Sequence, residues 1–175
     1  MSAVVQNQHR QQNLYWNQLV ELKVACEYIR RYRDRLSRWV HGFAVLRAVA
    51  SSGGIAGWAV WHELAFVWGS IIALSQLADA LSGVFPFTKV HKAAAEHVIA
   101  LDAMFIDVQL EWEAIFSGRV GDDEIASRVH RLRKAQHDAE RKHFPEGLAT
   151  DQSLFDLAQR DAEAYIIASY DVRDA

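Results

Sequence analysis

Catalysis and metal binding need acids, bases, nucleophiles or ligands spaced so that they converge, and this chain of 175 residues supplies few such groupings. Glu140-Arg141-Lys142-His143 has the Glu-x-x-His spacing that places two ligands on one helix face in carboxylate-bridged di-iron bundles. That type of site requires a second Glu-x-x-His and two more inward glutamates, and no second copy occurs. His130 and His137 are seven residues apart with Asp138 and Glu140 close by, which is too few ligands on one helix side for zinc. There is no Gly-rich phosphate loop, Gly-x-Ser-x-Gly elbow or His-Glu-x-x-His motif. The expectation is therefore no catalytic residue, no metal and no cofactor, with a helical-bundle metal enzyme using Glu140 and His143 as the third alternative.

The other reactive feature is positive charge. Arg30, Arg31, Arg33, Arg35 and Arg38 crowd one stretch, although the net charge is −3 and the pI about 6.2. Such a balance gives no global attraction to nucleic acid, so binding of phosphate or lipid headgroups would have to come from this cluster. A solvated helix face accounts for the same residues. Cys26 is the single cysteine, which excludes an internal disulfide and a cysteine-based zinc site and fits a reducing compartment.

The elements that position these groups read as helices throughout, with no credible strand run. Met1 to Asn13, rich in Gln and Asn, is expected to be a frayed lead-in without the apolar core of a secretory signal. Tyr15, Leu19, Leu22, Cys26, Ile29, Leu36 and Val40 then follow a 4-3-4-3 rhythm interrupted at Arg33, the narrow seam of a coiled-coil-like helix over 14–41. Two nearly unbroken apolar runs come next, Phe43 to Trp61 and Leu64 to Leu81, separated by His62 and Glu63. Each is about 27 to 29 Å long as a helix, close to the thickness of a bilayer's hydrocarbon core. The first holds Arg47 and Ser51-Ser52-Gly53-Gly54, the second Gln76 and Asp79, so both would be marginal spans.

Flanking charge favours a membrane hairpin over 43–82 with both ends cytoplasmic. The Arg30 to Arg38 cluster precedes it, Lys89 and Lys92 follow it, and the turn carries no Lys or Arg. Gly53, Ala56 and Gly57 form a small-xxx-small spacing that suits either an oligomer seam or packing within one hairpin, and Arg47, Gln76 and Asp79 would face the bundle interior. The alternative is a soluble bundle with the same hairpin as its buried core.

Pro86 should break the helix, and Thr88 can cap the next, over 88–117, where Val98, Leu101, Phe105, Val108, Trp112 and Ile115 repeat the seam. The two seams are expected to pack antiparallel as a stalk. Gly118 and Gly121 end that helix, Asp122 can cap one over 122–142, Pro145-Glu146-Gly147 marks a turn, and Asp151 can cap a last helix over 151–170. The fold class is thus all-α in a single domain: a two-helix hairpin continued by a coiled-coil-like stalk and C-terminal helices.

This layout from about Tyr15 to Ser117, carried by the Arg30 to Arg38 helix, Phe43 to Trp61, Leu64 to Leu81 and the Pro86 break, resembles the SLATT group of bacterial two-transmembrane effectors. The resemblance implies a homo-oligomer that perturbs or permeabilises the bacterial inner membrane in nucleotide-signal-linked antiviral defence. Its implied partners are membrane lipid and either a nucleotide second messenger or a sensor protein. The rival expectation is a cytoplasmic structural or adaptor protein.

Overall fold

The computed structural model describes the backbone of residues 2–60, 65–84 and 87–170, and within these the side chains of 9–48, 66–67, 69–70, 72–77, 80 and 87–170. The only regular structure among the described residues is helical: α1 (Ser2–Val60), α2 (Ala65–Val84), α3 (Phe87–Phe116), α4 (Asp122–His143) and α5 (Gln152–Tyr170). The lead-in expected to fray is helical from Ser2, and Gln12 Nε2 donates to the Ile115 carbonyl at 3.1 Å. The segment 14–41 and the first apolar run as far as Val60 form one helix. The residue between them, Gly42, is exposed in open space, and a single glycine costs a helix interior only about 1 kcal/mol relative to alanine.

The chain divides into two compact units, one made of Met1–Tyr32 with Ala93–Ala175 and the other of Arg33–Lys92. The first is a bundle of α1, α3, α4 and α5. Tyr15, Leu19, Leu22, Cys26 and Ile29 of α1 are fully buried, as the 4-3-4-3 rhythm requires. Across from them, Ala94, Val98, Leu101, Phe105, Val108 and Ile115 turn the buried side of α3 inward. Gln12 meets Ile115, Tyr15 OH donates to Glu111 at 2.7 Å, and Arg30 pairs with Asp102 at 2.7 Å, so the two helices run antiparallel here. α4 inserts Ile125, Val129, Leu132 and Ala139, and α5 inserts Leu154, Ala158, Ala162 and Ile166. Burying a side chain such as Ile115 or Ile125 contributes roughly 1.5–3 kcal/mol.

Local chemistry ends and begins these helices. At the C-terminus of α3, Gly118 adopts φ 71°, the Arg119 amide donates to the Ala114 carbonyl and the Gly118 amide to that of Ile115. This crossed pair satisfies carbonyls that the helix would otherwise leave open, and the left-handed residue favours glycine. Asp122 is the first residue of α4 rather than its cap. Gly121 occupies the cap without a side-chain hydrogen bond, and Asp122, Asp123 and Glu124 instead place negative charge at the helix N-terminus. Thr88 likewise lies inside the first turn of α3, which starts at Phe87. Asp151 does cap α5, its Oδ1 accepting from the amides of Ser153 at 3.0 Å and Leu154 at 3.3 Å. The Pro145 turn closes through the Gly147 amide and the Phe144 carbonyl at 2.9 Å.

The second unit holds the later part of α1, α2 and the first residues of α3. Leu36 is buried, and the Phe43 ring lies tilted against those of Trp39, at 5.9 Å, and Phe87, at 6.0 Å. On α2, Phe66, Val67, Ile72, Leu74 and Leu77 are exposed, Phe66 at 87%. At 3.6 residues per turn these positions spread over more than half of the helix circumference, so α2 has no single apolar stripe.

Candidate functional site

Buried polar side chains mark where a fold departs from simple packing, because each needs a partner or costs stability. Among its described residues the first unit buries three: Gln18, Lys23 and His97. Gln18 is fully engaged. Its Nε2 donates to Gln136 Oε1 at 3.1 Å and Glu21 Oε2 at 3.2 Å, and its Oε1 accepts from Arg133 Nε at 2.6 Å. Lys23 Nζ sits 2.7 Å from Glu27 Oε1 and lies over the rings of Tyr165, at 3.9 Å, and Phe105, at 5.1 Å. Carboxylate and aromatic faces together stabilise a cation that is nearly out of water.

His97 differs. It is 6% exposed and its Nδ1 has no hydrogen-bond partner. Helix α3 carries it one position before Val98, which puts the imidazole against the end of α4, with ring centroids 5.6 Å from both His143 and Phe144. Burial, and then the nearby His143, hold it at about 4, well below the ordinary histidine range, so it is neutral at pH 7. His143 Nδ1 in turn lies 3.5 Å from Glu96 Oε2.

His97 also lines a groove of about 1090 Å³ within this unit. Its walls are Val20, Val24, Ala25 and Ile29 of α1, Leu101 of α3, and Ile166 and Ile167 of α5. Tyr28 and Phe155 contribute rings 6.4 Å apart. The Tyr28 hydroxyl is occupied, donating to the Ala149 carbonyl at 3.2 Å and accepting from the Asp151 amide at 3.0 Å. Glu21, Glu140 and Glu163 bring carboxylates to the groove, and no Lys or Arg lines it among the described residues. A largely apolar concavity with a few polar groups is the usual form of a small-molecule site. Nearby Cys26 is buried, and burial pushes its thiol up to about 12, which keeps it protonated.

The residues singled out from the sequence are dispersed. Arg30 pairs with Asp102 and Arg31 with Asp161 inside the first unit, and Arg33 pairs with Asp34 at 2.7 Å. Arg35, Arg38 and Arg47 are exposed on α1 and Gln76 on α2. The side chains of Gly53, Ala56 and Gly57 on α1 and of Asp79 on α2 lie outside the described residues. Glu140 and His143 part company, the first lining the groove and the second facing Glu96 and His97. His130 and His137 are exposed, and no group of three potential metal ligands converges among the described residues.

Two features escaped the sequence reading. His97 is invisible there because its neighbour His143 is remote in sequence. The second is an apolar line on the outer side of α3, where Ile99, Ala103, Ile106 and Leu110 repeat a 4-3-4 spacing beside the buried seam and are open to solvent, the three large residues at 69%, 66% and 71%. The second rhythm was legible in the same stretch, masked by the first. No protein-family model matches the chain, and comparison with curated proteins and with solved structures likewise gave no match.

Proposed function

We propose that the chain is a small membrane effector in which the second unit acts on lipid and the first is a helical control body. On this reading α1 beyond Arg33 and α2 form a hairpin, the paired seams of α1 and α3 continue it as a coiled-coil-like stalk, and Gly53, Ala56 and Gly57 bring copies together. The observation that carries it is the exposure of Phe66, Val67, Ile72, Leu74 and Leu77 around α2, an apolar surface that one copy leaves uncovered. Exposed Arg38, Lys89 and Lys92 add positive charge on the chain flanking that region, as anionic headgroups favour.

Among the described residues no helix is long and apolar enough to cross a membrane. A hairpin of marginal apolarity suits an effector whose α2 is covered by other copies at rest and by lipid after activation, in keeping with the resemblance to two-transmembrane effectors. The second reading, a helical adaptor, draws on the open α3 line of Ile99, Ala103, Ile106 and Leu110, a helix-docking pattern independent of lipid.

Membrane fractionation with a carbonate wash separates the two. Retention of the full chain in washed membranes, with dye leakage from vesicles of anionic lipid, is the expected result. Complete recovery in the wash would overturn the effector reading and leave the adaptor.

A further inference from the structure

The groove beside His97 has a chemical character of its own. Its walls are aliphatic and aromatic, and among the described residues its charged lining is three glutamates with no basic side chain. Among the described residues, Glu140 and Glu163 have no ion-pair partner, whereas Arg30 and Arg31, which could have offered positive charge, are each committed to an aspartate. A phosphate-bearing ligand would therefore meet carboxylates and no cation. This is the opposite of what recognition of a nucleotide needs.

We propose that this groove binds a hydrophobic organic cation, an aromatic or alkyl amine. The volume of about 1090 Å³ is ample for a molecule of drug size. Val24, Ile29, Leu101 and Ile166 receive the apolar body. The rings of Tyr28 and Phe155 offer π faces to the positive charge, and Tyr28 has its hydroxyl already satisfied, which fixes its ring. Glu140 and Glu163 supply the long-range attraction. His97, more than nine-tenths buried, lines the same groove as a neutral ring and so sets no positive charge against a cation.

The inference stands apart from the lipid reading, because every residue it uses belongs to the first unit, whereas membrane fractionation probes the second. Either can fail alone.

The test uses the purified full chain and three probes: rhodamine 6G, a cationic xanthene dye; fluorescein, its anionic counterpart; and adenosine monophosphate as competitor. Fluorescence anisotropy should show saturable one-site binding of rhodamine 6G, with fluorescein at least about tenfold weaker and no displacement by the nucleotide. Glu140→Gln with Glu163→Gln should weaken rhodamine binding about tenfold, roughly threefold for each exposed carboxylate. Both residues are exposed, so this exchange leaves the bundle intact. Val24→Trp, which fills the groove, should abolish the saturable phase. Equal affinity for the anionic dye, displacement by the nucleotide, or rhodamine affinity unchanged in the double glutamine variant would each overturn the proposal, whatever Val24→Trp does to folding.

Discussion

Lowering the pH should loosen the first unit through His97, and the size of the effect follows from its surroundings. The ordinary value of its imidazole is 6.5, and in the fold it is held at about 4. Near pH 7.5 the ring is neutral whether the chain is folded or unfolded, and nothing is lost. Between 6.5 and 4 the unfolded chain takes up a proton that the folded chain refuses. The unfolded state then binds more protons, and stability falls as the pH falls. The whole gap corresponds to about 3 kcal/mol, of which about 2 kcal/mol is spent by pH 5. Because the residue is almost fully buried, solvent screening does little to reduce this.

The perturbation is His97→Phe, which removes both the titration and the unpartnered nitrogen and leaves a ring to pack on Phe144. Urea unfolding followed by far-ultraviolet circular dichroism, near pH 7.5 and near pH 5, gives the loss of stability for each protein. The wild-type loss should exceed that of the variant by about 2 kcal/mol. Equal losses would refute the reasoning, whatever the variant does to absolute stability, because the difference between the two pH responses isolates His97.

Three further predictions rest on single residues. Cys26, buried and with its thiol pushed up to about 12, should react with a maleimide or disulfide reagent near pH 8 about a thousandfold more slowly in the folded chain than in urea; rapid labelling of the native protein would contradict its placement. Gly118→Ala should cost about 1 kcal/mol from backbone strain alone, since φ is 71° and the added methyl meets nothing within 4 Å. Gly121→Ser, at φ −79° and ψ 160° in an empty cap, should add about 0.5 kcal/mol, and thermal melts that shift both variants in the same direction would refute this account of the α3–α4 connection.

The buried seams were largely readable from the sequence, because helical periodicity directly records which side of a helix leaves water. Tyr15, Leu19, Leu22, Cys26, Ile29 and Leu36 on α1, and Val98, Leu101, Phe105, Val108 and Ile115 on α3, are buried as spaced. What periodicity cannot carry is the identity of partners across the bundle. Arg30 and Arg31 read as part of a basic surface, yet their aspartates stand 72 and 130 residues away. His97 acquires its character only when α4 delivers His143 and Phe144 beside it. The groove draws on α1, α3, α4, α5 and the segment between the last two, so no one stretch announces it. For the apolar runs the difficulty is different. Lipid and a protein interior are both poor in water, and a helix that suits one suits the other.

The order of the two units along the chain has a consequence in time. The first unit begins with Met1–Tyr32 and is completed only by residues after Ala93, while Arg33–Lys92 is one uninterrupted stretch. Tyr15, Leu19, Leu22 and Ile29 leave the ribosome early, but α5 ends at Tyr170. At typical rates of synthesis they wait on the order of ten seconds for their partners. Throughout that interval the nascent protein has its inserted stretch in full and its bundle in part. Any contact that Arg33–Lys92 makes with other molecules can begin before the first unit is complete, and premature association at this stage would be a hazard of translation rather than of the finished fold.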